Sequence, residues 1–105
     1  SGTIIPTSVT VINYEAFWGS GLTEIEIPNS ITTINSSAFR ICSNLVNIKI
    51  PSSVTNIGGD VFSGCSSLKT INYGGTQAQW KSIASDAKVP SGVNVICSDG
   101  TITIS

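Results

Sequence analysis

The residues of this sequence with the most obvious chemistry are two cysteines, Cys42 and Cys65, which lie 23 positions apart. Thiolates can hold metal ions, but a structural zinc site needs about four ligands, and the chain has no histidine and no C-x-x-C motif. A disulfide between the two cysteines stays open, as do two buried free thiols, because unpaired cysteine packs as a small apolar residue. We favour the free thiols, and we expect Cys97 to be buried as well.

The sequence lacks the combinations of residues that usually carry out catalysis. Serine is abundant, but without histidine neither a Ser-His nor a Cys-His pair can form. Glu24 and Glu26 could pair for acid–base work, yet Lys49 follows Glu26 by one repeat, which favours an exposed cross-strand ion pair. The glycine pairs 58–59 and 74–75 lack the lysine of a phosphate-binding loop, and we expect them to relieve tight turns. The sequence therefore predicts no catalytic, cofactor or metal site.

The composition narrows the classes of partner. The chain has 105 residues, which is the size of one domain, and 40% of them are hydrophobic, which is enough for a core. Only 10% are charged, well below the usual quarter, and the net charge is -1. Such a surface disfavours nucleic acid and anionic membranes as partners. No stretch is long and apolar enough to insert across a bilayer.

A repeated sequence motif predicts the secondary-structure elements that would position these side chains. It runs three times, over residues 6–27, 28–50 and 51–73, after a partial strand. The aligned columns are Pro6, Pro28 and Pro51; Val9, Ile31 and Val54; Ile12, Ile34 and Ile57; Phe17, Phe39 and Phe62; Leu22, Leu45 and Leu68; and Ile25, Ile48 and Ile71. A fixed period in the twenties indicates a solenoid, in which stacked coils turn each aligned column into a continuous ladder in the core.

Each repeat contains three kinds of local pattern. The L-x-x-I-x-I end alternates and predicts a short strand of a parallel sheet, with Ile25 and Ile27 facing inward and Glu24 and Glu26 outward. The V-T-x-I piece after each proline predicts a second, shorter extended segment. The A-F-x-x-C-S-x-L piece predicts a helical turn that drives its phenylalanine into the core. The fold class is therefore a mostly β solenoid with short helical turns.

The spaced pattern L-x-x-I-x-I-P-x-x-V-x-x-I-x-x-x-A-F-x-x-C resembles the BspA-like class of leucine-rich repeats over residues 3–73. The resemblance implies a leucine-rich repeat solenoid from a bacterial surface or secreted protein. It also implies that partners bind on the concave face of the sheet. Thr3 and Ile5 occupy the positions of Ile25 and Ile27 in the next repeat, so the chain begins within a strand. We expect a longer array, or a first coil covered by another chain.

Residues 74–105 leave the repeat pattern, and we expect them to cap the solenoid within a single domain. The segment GGTQAQWKSIAS predicts a short amphipathic helix around Trp80, with Thr76 as its N-cap. VNVICS alternates and predicts a strand with Val93, Val95 and Cys97 on one face. Asp99–Gly100 between two alternating runs predicts a β-hairpin. The YGGTQAQWKSI run also resembles the segment that closes BspA-like arrays.

Two sets of residues are candidates for binding a partner. The first consists of the outward rows of the sheet, and these rows could equally be a solvated surface: Glu24, Asn47 and Thr70 in one row, and Ile4, Glu26, Lys49 and Asn72 in the other. The second is Tyr14 with Trp18, because the sister coils have small or polar residues at both positions. Exposed aromatic residues can stack on sugars or anchor a partner. We favour the alternative, in which both pack against a preceding coil.

The preferred function is a non-catalytic interaction module. The resemblance implies adhesion to host, matrix or bacterial proteins, and a location outside the cell or on its surface. A structural spacer or targeting appendage of a larger secreted enzyme is the first alternative, and it would carry no ligand. A carbohydrate-binding module that uses Tyr14 and Trp18 is the second.

Overall fold

The computed structural model describes residues 5–104, which form two β-sheets around one core. The chain order is β1 (Val11–Ile12), β2 (Glu24–Glu26), β3 (Thr33–Ile34), β4 (Asn47–Ile50), β5 (Asn56–Ile57), β6 (Thr70–Tyr73), α1 (Gln77–Ile83), β7 (Asn94–Cys97) and β8 (Gly100–Thr103). A three-stranded sheet has the order β1-β3-β5, and a five-stranded sheet has the order β2-β4-β6-β7-β8. Every pairing is parallel except β7 with β8. The predicted solenoid is therefore confirmed.

The repeat alignment agrees with the strand register residue by residue. Ile25 pairs with Ile48, and Ile48 with Ile71, in the five-stranded sheet. In the three-stranded sheet, Ile12 pairs with Ile34 and Ile34 with Ile57. These isoleucines are buried, because a parallel stack places the same column of every coil on the same side of the sheet.

The three phenylalanines stack in one column, as the repeat predicts. The Phe17 and Phe39 ring centroids are 5.1 Å apart with an interplanar angle of 1°. The Phe39 and Phe62 centroids are 6.2 Å apart at 8°. Phe39 and Phe62 are fully buried, whereas Phe17, in the first coil, is partly buried. The column therefore runs through the core and ends at the first coil.

Prolines start the turn between the two sheets in each coil. The carbonyl oxygens of Pro6, Pro28 and Pro51 each accept a hydrogen bond from the N–H three residues later, at 3.1 to 3.2 Å. Proline suits this position because it fixes its own φ and needs no partner for an N–H.

The A-F-x-x-C-S-x-L segments differ in detail from the helical turns that we expected. They form successive turns closed by N–H to carbonyl bonds three residues apart, such as Ala38 N to Asn35 O and Arg40 N to Ser37 O. The reason is local backbone geometry: Ser37 and Ile41 have φ of 61° and 57°, in the left-handed region that interrupts a right-handed helix. The only helix among residues 5–104 is α1.

The C-terminal segment forms the predicted helix, strand and hairpin. Thr76 is the N-cap of α1: its side chain accepts from the Gln79 N–H, and the Gln79 side chain accepts from the Thr76 N–H. β7 pairs in parallel with β6, with Val95 opposite Ile71, so this strand extends the stack. Cys97 pairs with Gly100, so the turn residues are Ser98 and Asp99, one position before the predicted Asp99–Gly100.

Candidate partner-binding face

The exposed side of the five-stranded sheet carries two rows of side chains that the strand register fixes. We call them the 24 row (Glu24, Asn47, Thr70, Asn94) and the 26 row (Glu26, Lys49, Asn72, Ile96). The members are exposed or partly exposed, whereas the alternate residues of the same strands are buried. This follows from the period of two in a strand, which sends successive side chains to opposite faces. Ile4, which the sequence placed in the 26 row, lies outside the described residues.

Opposite charges and amides meet across neighbouring strands of this face. Lys49 Nζ lies 3.9 Å from Glu26 Oε2, and the two side chains are 66% and 73% exposed. An ion pair this exposed contributes only about 0 to 1 kcal/mol to stability, so both charges stay available to a ligand. Asn72 Nδ2 donates to Asn47 Oδ1 at 3.1 Å, which links the two rows.

A groove of about 420 Å³ runs along the 26 row, at the ends of the strands where the chain turns away. One wall is the 26 row itself. The other wall is formed by the turns that follow the strands, with Asn29, Ser52 and Ser98. The groove thus crosses β2, β4, β6 and β7. Its exposed and partly exposed side chains include a carboxylate, an ammonium group, amides, hydroxyls and Ile96, and buried apolar residues such as Ile27 and Ile50 also line it.

The face and its groove contain residues that the sequence interpretation did not assign to either. Asn94 and Ile96 belong to β7, which we predicted as part of a cap and not as a contributor to the two rows. One signal could have identified them: Val95 follows Ile71 by 24 positions, close to the repeat period, and so continues the isoleucine column. Ser98 in the hairpin turn and Asn29 and Ser52 after the prolines carried no such signal.

The cysteines are free and buried, as we favoured, and their side chains serve the core. Cys42 Sγ lies 3.0 Å from the carbonyl oxygen of Phe17, and Cys65 Sγ lies 3.1 Å from that of Phe39. Each thiol can therefore donate to the coil before it, because the cysteine column stacks next to the phenylalanine column. The adjacent Cys42 side chain raises the pKa of the Cys65 thiol, and burial raises it further. Cys97 is also buried, and burial raises the pKa of its thiol.

The two candidate aromatic residues are exposed on the first coil. Tyr14 is 68% exposed and Trp18 is 42% exposed. The Arg40 guanidinium carbon lies 5.0 Å from the centroid of the Trp18 ring, close enough for a cation–π contact. Arg40 is the residue of the second coil that aligns with Trp18, so one face of this ring is covered by the next coil.

The described residues hold no cluster of three or more metal-ligating side chains. No helix in that range is long and apolar enough to cross a membrane. The side chains of the two rows can form hydrogen bonds and charge contacts, and Ile96 offers an apolar contact.

Comparison with known proteins identifies what this arrangement is similar to. A family model described as "BspA type Leucine rich repeat region (6 copies)" matches residues 2–96. A crystal structure of a leucine-rich cell surface protein from Faecalibacterium prausnitzii A2-165 is similar in fold, with a TM-score of 0.73 and 38% sequence identity. The similarity covers 81% of this chain and 23% of that protein, so the chain spans under a quarter of its length. A search of curated proteins finds no match.

Proposed function

Since the chain belongs to the BspA-type leucine-rich repeat family, we propose that it is a non-catalytic binding module that holds protein partners on the 24 row and the 26 row. The observation that carries this proposal is the register of the five-stranded sheet, which lines up eight side chains of four adjacent strands on one exposed face. A parallel stack with a continuous buried core is rigid, and a rigid face loses little conformational entropy on binding.

The composition of the face supports a protein partner over other classes. Its side chains are three amides, one hydroxyl, two carboxylates, one ammonium group and one isoleucine, and the chain as a whole carries a net charge of -1. A polyanion would need a cluster of basic residues, whereas Lys49 is the single basic residue in the two rows and is paired with Glu26. Amides and hydroxyls both donate and accept, which suits the backbone and polar side chains of a protein.

A surface or extracellular location is part of the same proposal. Support comes from the structural neighbour, which is a leucine-rich cell surface protein, and from the family to which the chain belongs. Adhesion to host, matrix or bacterial proteins is the role that fits such a location best.

The experiment compares two matched variants of the chain in binding to immobilised matrix proteins, host epithelial cells and bacterial cells. The face variant replaces Glu24, Asn47, Lys49 and Asn72 by alanine. The control variant replaces four residues in and beside the three-stranded sheet by alanine: Thr10, Thr32, Thr55 and Asn56. We expect the chain and the control variant to bind one of these surfaces and the face variant to lose binding. Equal binding by both variants, or none by the unchanged chain, would contradict the proposal; the latter result would favour a structural spacer.

A carbohydrate-binding module is the second candidate, and the exposure of Tyr14 and Trp18 is the observation that favours it. Aromatic faces stack on sugars, but Arg40 already covers one face of Trp18. A glycan array distinguishes this function from the first. Signals that disappear in Trp18→Ala would support it, and the absence of binding at millimolar sugar would exclude it.

A further inference from the structure

We propose that the groove along the 26 row binds an extended peptide segment that has a cationic side chain at one position and an apolar side chain four residues away. The inference rests on the proposed function and adds the chemical class of the ligand and the part of the face that binds it. It is carried by the order of side chains across the sheet, by the spacing of the strands and by the walls of the groove.

The charge of the face changes in one direction across the strands. Among residues 5–104, Glu24 and Glu26 both lie on β2, the first strand of the sheet, and the one basic side chain beside them on the next strand is Lys49. β6 contributes neutral side chains to both rows, and β7 contributes Ile96, which is 43% exposed. Lys69 comes just before β6 in the chain, at the ends of the strands opposite to the groove. A ligand that complements this order places a cation near β2 and an apolar side chain near β7.

The distance between these two ends matches an extended chain. Neighbouring strands lie about 4.8 Å apart, so the three steps from β2 to β7 span roughly 14 Å. An extended peptide rises about 3.4 Å per residue, so side chains four residues apart are separated by nearly the same distance. Because four is an even number, both side chains point to the same side of the ligand strand and can enter the groove together.

The middle of the groove determines which ligand residue is favoured between the cationic and the apolar side chain. The side chain two residues after the cation also faces the groove and would lie between Lys49 and Asn72. An ammonium group and an amide favour a carboxylate or amide there over a second cation. Asn29, Ser52 and Ser98 on the opposite wall offer hydrogen bonds to the ligand backbone. The full pattern is a cation, a polar residue and an apolar residue at alternate positions.

The test is a titration of the isotopically labelled full chain followed by amide chemical shifts, with a pentapeptide of blocked ends, Lys-Thr-Asn-Thr-Leu, as the probe. A second peptide of the same composition, Lys-Leu-Asn-Thr-Thr, destroys the spacing. We expect saturable shifts that cluster on the 26 row and the turns after the strands. Since each contact is exposed and weak, Glu26→Gln and Ile96→Ser should each weaken binding about two- to fivefold. Glu15→Gln removes the same charge away from the sheet and should leave the affinity unchanged.

The inference is overturned by any of three results: no shifts at millimolar peptide, shifts that cluster away from the 26 row, or equal affinity for both peptides. Equal affinity of Glu26→Gln and the unchanged chain would also overturn the role of the acidic edge. These failures are distinct from failure of the proposed function. A chain that binds a protein or cell surface through its two rows, but does not respond to either peptide, would retain the function and lose this ligand.

Discussion

The spacing of two coils in this protein depends on a glycine, and the substitution Gly58→Ala tests it directly. A methyl group added at Gly58 would lie 2.5 Å from Ser36 N, 2.8 Å from Ser36 Cα and 2.8 Å from Ser36 Oγ. Ordinary contact begins at 3.4 Å. Two of the opposing atoms are backbone, so a rotamer change cannot remove the clash, and the second and third coils would have to separate by about 0.9 Å.

The cost of this separation follows from the bonds beside the contact. Gly58 N donates to Ile34 O at 2.8 Å, and Ser37 N donates to Gly59 O at 3.0 Å. A displacement of about 0.9 Å would stretch both beyond hydrogen-bond length, at roughly 1 kcal/mol each. Alanine also restricts the conformations of the unfolded chain, which stabilises the folded state by about 0.4 to 1 kcal/mol. We therefore expect a net loss of about 1 to 2 kcal/mol and a fall in Tm of roughly 5 to 15 °C.

The adjacent glycine provides the control. A methyl group at Gly59 would meet only Asp86 O, at 3.9 Å, so Gly59→Ala should leave stability unchanged or raise it by up to about 1 kcal/mol. Urea unfolding followed by circular dichroism measures both variants on the same scale. If Gly58→Ala is as stable as Gly59→Ala, the close approach of the two coils does not limit this position and the reasoning is refuted.

Three further changes test other parts of the fold. Phe39→Ala should cost about 3 to 5 kcal/mol in urea unfolding, because its ring is fully buried between two stacked rings, and Phe17→Ala should cost less. Ile41→Asn should raise stability by about 0.5 to 1 kcal/mol, since Ile41 is exposed and β-branched at φ 57°, where asparagine is tolerated. Stability should fall as pH rises above about 8.5, because burial raises the pKa of the Cys97 thiol in the folded state, so that only the unfolded thiol ionises.

Each of these predictions has its own contradicting result. Equal losses for Phe39→Ala and Phe17→Ala would show that the position of a ring in the stack does not matter. A less stable Ile41→Asn would show that the contacts of the isoleucine side chain outweigh its backbone strain. For the pH dependence, the stabilising contribution is complete below the unfolded pKa and declines above it by at most about 1.4 kcal/mol per pH unit. An unchanged slope in Cys97→Ala would assign the decline to other groups whose pKa is raised in the folded state, namely Cys65, beside Cys42, and Tyr73, whose pKa is raised by burial.

The candidate partner-binding face could be only partly predicted from the sequence. The repeat alignment placed Glu24 and Asn47 in one row, and Glu26 and Lys49 in the other, and the strand register agrees. Alignment succeeds here because the strands stack in parallel without a shift in register, so residues one repeat apart in the sequence become neighbours in the sheet. It did not reveal Ile96, because a helix stands before β7 where the other repeats have a proline turn, although Val95 keeps nearly the repeat spacing from Ile71.

The sequence by itself determined the solenoid, the columns of its core and the side of the sheet on which each strand residue lies. These features depend on period and on the alternation of side chains, which are properties of the chain. Only the tertiary structure decided that β7 continues the stack, and that a side chain at Gly58 would clash with the backbone of the neighbouring coil. It also decided that the turns form one side of a groove. Those features depend on how closely separate segments approach, and the distance between two coils is set by packing that no single segment encodes.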